Sequence, residues 1–415
     1  MKQALVLSGG GAKGAYEAGC IRALQELNFE FEIVTGTSIG ALNGLLVAQQ
    51  DYEELYNLWN KLSIEMVLTN PIHFDFSIES MMKNTNLIKP FFKSYLDKKG
   101  ADNEPFIKLV RSMFDGDKAK NSAIRYGCCT VMFPQLKPLE ITVDEMEKDK
   151  IVEYAIASAS CFPAFPVHYI DKQGYIDGGY YDNLPIHLAF QMGAKKILAI
   201  ELNQEATHSH LLNRDNIQFI RPSRPLGGFL DFERSIMNWR IRLGYLDTLK
   251  AFHQLTGYRF AFRLGEVNLE IAKQFHNKIL RYEMKNNYHT YNIDDHTPLI
   301  DILKENTYLD KLTLSDYFIL GLELFMENYK YQSDKLYSFD EIIHDIRQIQ
   351  IDEDDFRNLN FLKKSGEILK DLTTKQIINY FLSHFVNDDN SKAIPENLFL
   401  KEYLLAMFIH CVKSI

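Results

Sequence analysis

The sequence predicts an α/β fold followed by a separate α-helical domain. Three observations carry that reading. Short apolar runs ending in glycine alternate with helical patterns through the first half of the chain. Two of the strand-to-helix junctions, "LSGGGAKG" and "TGTSIGALNG", are built on closely spaced glycines. Beyond about Phe252 glycine nearly vanishes, and leucine and isoleucine take helical spacing among lysine, asparagine, tyrosine and acidic residues.

The first strand is "QALVLS". The helix that follows, from about Ala12, carries Ala18, Ile21, Leu24 and Leu27 on one side, and "FEIVT" is the second strand. This is a β-α-β unit, whose right-handed crossover makes the two strands parallel and opens both loops at the strands' C-terminal ends. Residues 51–121 read as an inserted helical cap, rich in aromatics and methionine over 64–96 and without a strand signal. Strands return with "IRYGCCTVM" and "LEITV", then a helix at "IVEYAIASAS" and a strand at "KKILAIEL". Their apolar density suits strands buried on both faces. The predicted organisation is a domain over 1–252 and a helical domain over 253–415, ending in a helix with Leu400, Tyr403, Leu404, Met407, Phe408 and Cys411 on one face.

Composition narrows the function. With 415 residues, 46% of them hydrophobic, the chain can fill a sizeable core, and its net charge of -9 does not favour nucleic acid as a partner. No apolar run approaches the ~18 residues of a membrane span, and the first eleven residues are too weakly apolar for a signal peptide. Five scattered cysteines offer neither a C-x-x-C pair nor zinc spacing, which fits a reducing cytosol and implies no metal.

The glycine loop poses a choice. Gly9, Gly11 and Gly14 fit the dinucleotide fingerprint, with Glu32 near the position of a ribose-binding acid, yet the same loop could cradle another anion. On this stretch alone both readings stay open. At the second junction, Gly36, Ser38 and Gly40 make G-x-S-x-G between strand and helix, the setting of a nucleophile elbow. A serine nucleophile needs a base and an oxyanion site. The N–H groups of Gly9, Gly10 and Gly11 are candidates for the second. Asp177, followed by Gly178 and Gly179, is a candidate for the first, although Asp-Gly-Gly alone is an ordinary turn.

In combination, "GGGAKG" at 9–14, "GTSIG" at 36–40, "ASASCFPAFP" at 157–166 and "DGG" at 177–179 resemble the patatin-like phospholipases, in that family's order. The resemblance covers roughly residues 1–252. It implies a three-layer α/β/α sheet, Ser38 as nucleophile, Asp177 as its base, Gly9 to Gly11 as oxyanion hole, Lys13 as a positively charged, anion-assisting residue, and no cofactor. It displaces the dinucleotide reading, because the second strand ends in a nucleophile elbow rather than in a ribose-binding acid.

Simpler roles compete at several positions. Asp182 and Asn183 read as caps of a helix starting near Pro185. Lys13 could be a solvated lysine, His187 a surface or core helix residue rather than the third member of a triad, and His168 an edge-strand residue. The expected function is a cytoplasmic lipid acyl hydrolase of the phospholipase A or lysophospholipase type. It would work peripherally at a membrane surface on phospholipid or lysophospholipid, and the apolar faces of the C-terminal helices are to be buried within their own domain, on the catalytic domain, or against a second copy of the chain in a homo-oligomer. The alternative is a catalytically silent lipid-binding or scaffold protein of the same shape.

Overall fold

The computed structural model describes residues 2–67, 103–286, 297–305, 307, 309–350, 373–387 and 396–415. The chain divides into two compact units, Met1–Phe252 and His253–Ile415.

The first unit is built on eight strands: β1 (Gln3–Leu7), β2 (Ile33–Thr37), β3 (Arg125–Phe133), β4 (Lys137–Thr142), β5 (His168–Ile170), β6 (Gln173–Asp177), β7 (Lys196–Ile200) and β8 (Ile217–Ile220). They lie in the order β5-β6-β3-β2-β1-β7-β8, with β4 also on β3. The pairs β1–β2, β1–β7, β2–β3 and β7–β8 are parallel, whereas β3–β4, β3–β6 and β5–β6 are antiparallel. Beyond the edge-strand reading of His168, the antiparallel hairpin β5–β6 and the strand β8 were not read from the sequence. Three to five residues are too few for a periodic pattern.

Side-chain alternation makes the layers. Leu5 and Leu7 of β1, Val34 of β2, and Leu198 and Ile200 of β7 enter the main core, while Ala4, Val6, Ile33, Ile197 and Ala199 enter a second core on the other face. Two helices dominate the first layer, α1 (Gly14–Glu26) and α2 (Ile39–Ala48), with a further helix at Arg234–Ala251. The opposite layer includes the helix Ile186–Gln191, which contributes Ile186 and Ala189. Every residue of α2 is buried, as expected of a helix that is apolar all round.

Strand β3 sets the geometry of the site. It has two hydrogen-bonding edges, and β4 occupies one of them along Gly127–Met132. The other edge is shared: β2 pairs with Arg125 to Cys129, and β6, running the opposite way, pairs with Thr130 to Phe133. Thr37 lies opposite Cys129 and Asp177 opposite Thr130, so β2 and β6 meet end to end on one line. The residue after Thr37 is Ser38.

The described parts of the predicted cap are helical, at Tyr52–Lys61, Ile64–Val67, Glu104–Met113 and Gly116–Asn121. Most of the aromatic and methionine stretch at 64–96 lies outside the described residues.

The second unit packs helices Leu269–Lys285, Pro298–Lys304, Leu314–Asn328, Phe339–Arg347, Thr374–Asn387 and Leu400–Lys413. Capping boxes at Thr313/Asp316 and Ser338/Glu341 start two of them. Three strands of two or three residues, Leu255–Thr256, Ala261–Arg263 and Leu336–Tyr337, form a small sheet absent from the sequence reading. Tyr403, Leu404, Met407, Phe408 and Cys411 are buried in this unit's own core beside Phe275, Phe318 and Phe325. This apolar face is thus buried within the unit itself. Among the described residues no helix is long and apolar enough to cross a membrane.

Helix α1, which carries the glycine loop at its start, is fixed by contact with Arg234–Ala251. A Cβ added at Gly19 would lie 1.9 Å from the Ile241 carbonyl oxygen, and one at Gly244 would lie 2.0 Å from that of Tyr16. The two backbones therefore touch without side chains between them. Beside that contact Tyr16 donates to Asp247 at 3.0 Å. Gly244→Ala should cost roughly 1–3 kcal/mol, because the obstruction is backbone and cannot rotate away. Urea unfolding of the full chain measures it, and a loss below about 0.5 kcal/mol would mean that the crossing tolerates a methyl group.

Candidate active site

Ser38 occupies the turn between β2 and α2 with φ 56° and ψ −124°, a region that side-chain-bearing residues rarely adopt. Two glycines make the turn possible. A Cβ at Gly36 would meet the Gly40 carbonyl oxygen at 2.2 Å, and one at Gly40 would meet that of Leu7 at 2.6 Å. The strained backbone is held from below, since the Ser38 N–H donates to Ser158 Oγ at 2.9 Å, and Ser158 donates in turn to the Cys129 carbonyl at 2.6 Å. The Ser38 side chain is left at the C-terminal edge of the sheet.

Asp177 ends β6 and is fully buried. Its Oδ1 accepts the Gly179 N–H at 2.8 Å, and its own N–H donates to the Ser160 carbonyl at 2.9 Å. Gly178 lets the turn pass close to β3, for a Cβ there would lie 2.1 Å from the Cys129 carbonyl oxygen. Oδ2 is buried and makes no hydrogen bond among the described residues. Burial pushes the carboxyl up to about 7, against the smaller opposing pull of the Ser38 hydroxyl and the Gly179 N–H. Among the described residues no arginine or lysine offsets the desolvation.

The three glycines of the loop are not equivalent. The Gly9 N–H is already engaged by the Asn183 carbonyl at 3.0 Å, and the Asn183 side chain donates back to the Gly9 carbonyl at 3.0 Å. Gly11, at φ 55°, turns the chain beneath Phe229, whose carbonyl accepts the Ala12 N–H at 2.8 Å. Gly10 lines the cleft beside Ser38, and its N–H makes no hydrogen bond among the described residues. Lys13 is only 5% exposed and donates to Asn203 Oδ1 at 3.2 Å, so it is not a solvated lysine.

Ser38, Gly9, Gly10, Lys13, Gly179 and Asn183 line a cleft of about 680 Å³. One wall is Gly9, Gly10, Lys13 and Asn183, and the other is the segment from Leu202 to Thr207 with Pro225, Leu226 and Phe229. His187 lies outside it, on the surface of Ile186–Gln191, its side chain 69% exposed and 3.6 Å from Glu140. His168 sits on the edge strand β5 and pairs with Glu153 at 2.8 Å. Among the described residues no cluster of histidine, cysteine and carboxylate side chains is arranged to hold a metal ion.

The expected capping by Asp182 and Asn183 is corrected. The cap position of Ile186–Gln191 is Pro185, with no side-chain hydrogen bond. Asp182 Oδ1 accepts the Leu184 N–H at 3.0 Å and lies 3.1 Å from His208 Nε2, while Asn183 clamps the glycine loop. Sequence reasoning treated the two as local because their partners lie up to 174 positions away. It also missed Ser158, whose only signal was its place in "ASASC", and Asn43. That asparagine, buried in α2, donates to Glu17 Oε2 at 2.8 Å and accepts from Trp59 Nε1 at 2.9 Å. Glu17 is a second buried carboxyl, pushed up to about 8 by desolvation.

Residues 5–190 match the family described as patatin-like phospholipase. The chain is 29% identical over 208 residues to "Patatin-like phospholipase domain-containing protein 7" of Rattus norvegicus, an alignment that covers 48% of this chain and 13% of that protein. It is 25% identical over 199 residues to "Lysophospholipase nte1" of Aspergillus terreus, covering 48% of this chain and 12% of that protein. The matched part is thus a small share of these relatives' length. Among solved structures, that of VipD from Legionella pneumophila aligns over 100% of this chain and 92% of that one, at a TM-score of 0.42 and 14% identity. That likeness is too loose to guide either fold or chemistry.

The raised pKa of Asp177 has a sign for stability. Its folded value lies above the unfolded one near 3.9, so the group costs the fold nothing well below pH 4 and costs most above about pH 7. A rise of roughly three units corresponds to about 4 kcal/mol at most. Asp177→Asn keeps an acceptor for Gly179 and removes the charge. Its stability relative to the parent protein should therefore climb between about pH 4 and pH 8, read as urea midpoints. A difference that is flat with pH would show that the carboxyl is not desolvated.

Proposed function

The chain belongs to the patatin-like phospholipase family through residues 5–190, and on that footing we propose that it is a serine acyl hydrolase of lipid esters, of the phospholipase A or lysophospholipase type. The observation that carries the reading is the end-to-end meeting of β2 and β6, which sets a buried, unusually basic carboxyl beside a serine on a positive-φ elbow.

In this reading Ser38 Oγ attacks the ester carbonyl carbon and its proton passes to Asp177 Oδ2, the oxygen without a hydrogen-bond partner. An aspartate of ordinary acidity is a poor base for an alcohol, but one lifted to about 7 is matched to neutral pH. The negative oxygen of the tetrahedral intermediate is met by the Gly10 N–H and by the positive end of α2. Gly9 is left out of that role because its N–H is taken, and it serves instead to hold the loop to Asn183. Collapse of the intermediate returns the proton to the leaving alcohol. Water, deprotonated by the same carboxylate, then frees the acyl group from Ser38. Lys13, beside Gly10, supports an anionic group in the cleft. The substrate class, phospholipid or lysophospholipid, rests on the family and on the curated relatives' names.

Ser38→Ala and Asp177→Asn should each lower kcat by on the order of 10⁴ or more, and the double variant should lose little further, because the pair works as a unit. His187→Ala should stay active. Gly10→Ala, whose new methyl would lie 2.7 Å from Leu202 Cδ1 and 3.3 Å from Leu202 Cβ, should cut kcat by roughly 10²-fold. A fluorophosphonate should label Ser38 in the parent protein. Absence of labelling at any pH would leave a lipid-binding protein without catalysis.

The pH profile follows from Asp177. The base must be ionised to accept the proton, so kcat/KM should rise with pH through a limb near 7 and level above it. A limb below about 5 would mean that the carboxyl keeps its ordinary acidity.

A further inference from the structure

Strand β3 outruns its neighbour. Past Thr130, the partner of Asp177, it continues for three residues to Phe133, about 10 Å along the sheet at ~3.3 Å per residue. It extends in the direction in which β1, β2 and β7 end at the cleft. Two hairpins finish this projection: the β3–β4 turn, whose last residues are Gln135 and Leu136, and the β5–β6 turn at Asp171 and Lys172. They are tied together, because the Gln173 side chain donates to the Phe133 carbonyl at 2.9 Å and to Gln135 Oε1 at 3.2 Å. Tyr169, on β5, stands over Gly174 of β6.

The composition of this tip is not what the fold asks for. Leu136 is 60% exposed and Tyr169 63% exposed, both large and mostly apolar on these two hairpins. Leu136 also holds φ 53°. That left-handed conformation is one glycine or asparagine fills cheaply and a branched aliphatic residue does not. A leucine there costs backbone energy and gains little burial, so neither packing nor turn chemistry accounts for it. Lys137 and Lys172 are exposed beside these two residues and form no ion pair among the described residues. The acid at the same turn, Asp171, is paired with Lys150 at 2.7 Å. An aliphatic residue, a tyrosine and two lysines at a protruding edge are the side chains that enter or sit at a bilayer interface.

We propose that the paired tips of the β3–β4 and β5–β6 hairpins are the docking element of this chain for an anionic phospholipid surface. Leu136 and Tyr169 enter the interface, and Lys137 and Lys172 bind lipid phosphates. The inference rests on the lipid-hydrolase reading, since it is the lipid aggregate that presents the substrate to the cleft at the base of the projection.

The test uses the full chain and sedimentation with phosphatidylcholine vesicles, with and without added phosphatidylserine. The parent protein should bind the phosphatidylserine vesicles more tightly. Leu136→Gly with Tyr169→Ser should weaken binding to both by at least about tenfold. Lys137→Glu with Lys172→Glu should remove the preference for phosphatidylserine and its salt sensitivity. Leu136→Gly alone should leave thermal stability equal or raised, since it relieves the turn. Vesicle binding unchanged in the Leu136/Tyr169 variant, or no binding by the parent protein, would overturn the proposal. A fall in stability for Leu136→Gly would overturn it too, because the leucine would then be serving the fold. Hydrolysis of a short soluble ester is a separate readout that all these variants should retain. A parent protein that binds vesicles through this tip yet cleaves no ester would sink the hydrolase reading and leave the docking element standing.

Discussion

The site depends on the economy of a single strand edge. A β-strand offers two rows of hydrogen-bonding groups, and β3 gives one row entirely to β4 while dividing the other between β2 and β6. Because β2 runs parallel and β6 antiparallel to β3, their C-terminal ends point at each other and stop one register position apart. The separation of Ser38 and Asp177 is thereby set by backbone hydrogen bonding. No long side chain or flexible loop is needed to bring together groups 139 positions apart in the sequence (177 − 38).

Everything around that junction either permits close backbone approach or holds an unusual conformation in place. Gly36, Gly40 and Gly178 remove side chains where strand, helix and turn pass one another. Ser158, reaching from the end of its helix to the Ser38 N–H and the Cys129 carbonyl, couples the elbow to β3. Asn183 does the same for the glycine loop with two hydrogen bonds to one residue. The result is a set of rigid supports around a carboxyl that the fold would rather have neutral. The energy that desolvation withdraws from stability reappears as basicity at Asp177, and the surrounding hydrogen bonds keep the chain from relaxing away from it.

Much of this was legible in the sequence, and the boundary of legibility is physical. Strands β1, β2, β3 and β7 and helices α1 and α2 announced themselves because each is a continuous apolar run or a helical period bounded by glycine. Ser38 and Asp177 were legible as residues in motifs. Their meeting was implied only by the family resemblance, and the geometry of it was not legible, since β6 is five residues long and is an antiparallel addition to a parallel sheet. The capping assigned to Asp182 and Asn183 failed for a related reason: turn chemistry is local, whereas the groups they hold come from Gly9 and His208. The small sheet of the second unit and the strained Leu136 left no pattern at all, because a backbone angle has no compositional signature in a residue that is usually found elsewhere.

All five cysteines are free and buried, four of them in the first unit and Cys411 in the second. Burial also raises every one of these thiols, Cys128 and Cys411 to about 12, which makes the reactive thiolate scarcer still. A maleimide or disulfide reagent therefore finds no target until a region opens. Each thiol becomes a clock for local unfolding at its own address. Cys129 and Cys161 time the packing beneath the junction of β2 and β6, Cys20 times the crossing at Gly244, and Cys411 times the core of the second unit. The two units thus carry separate chronometers, readable by mass from the same unlabelled chain.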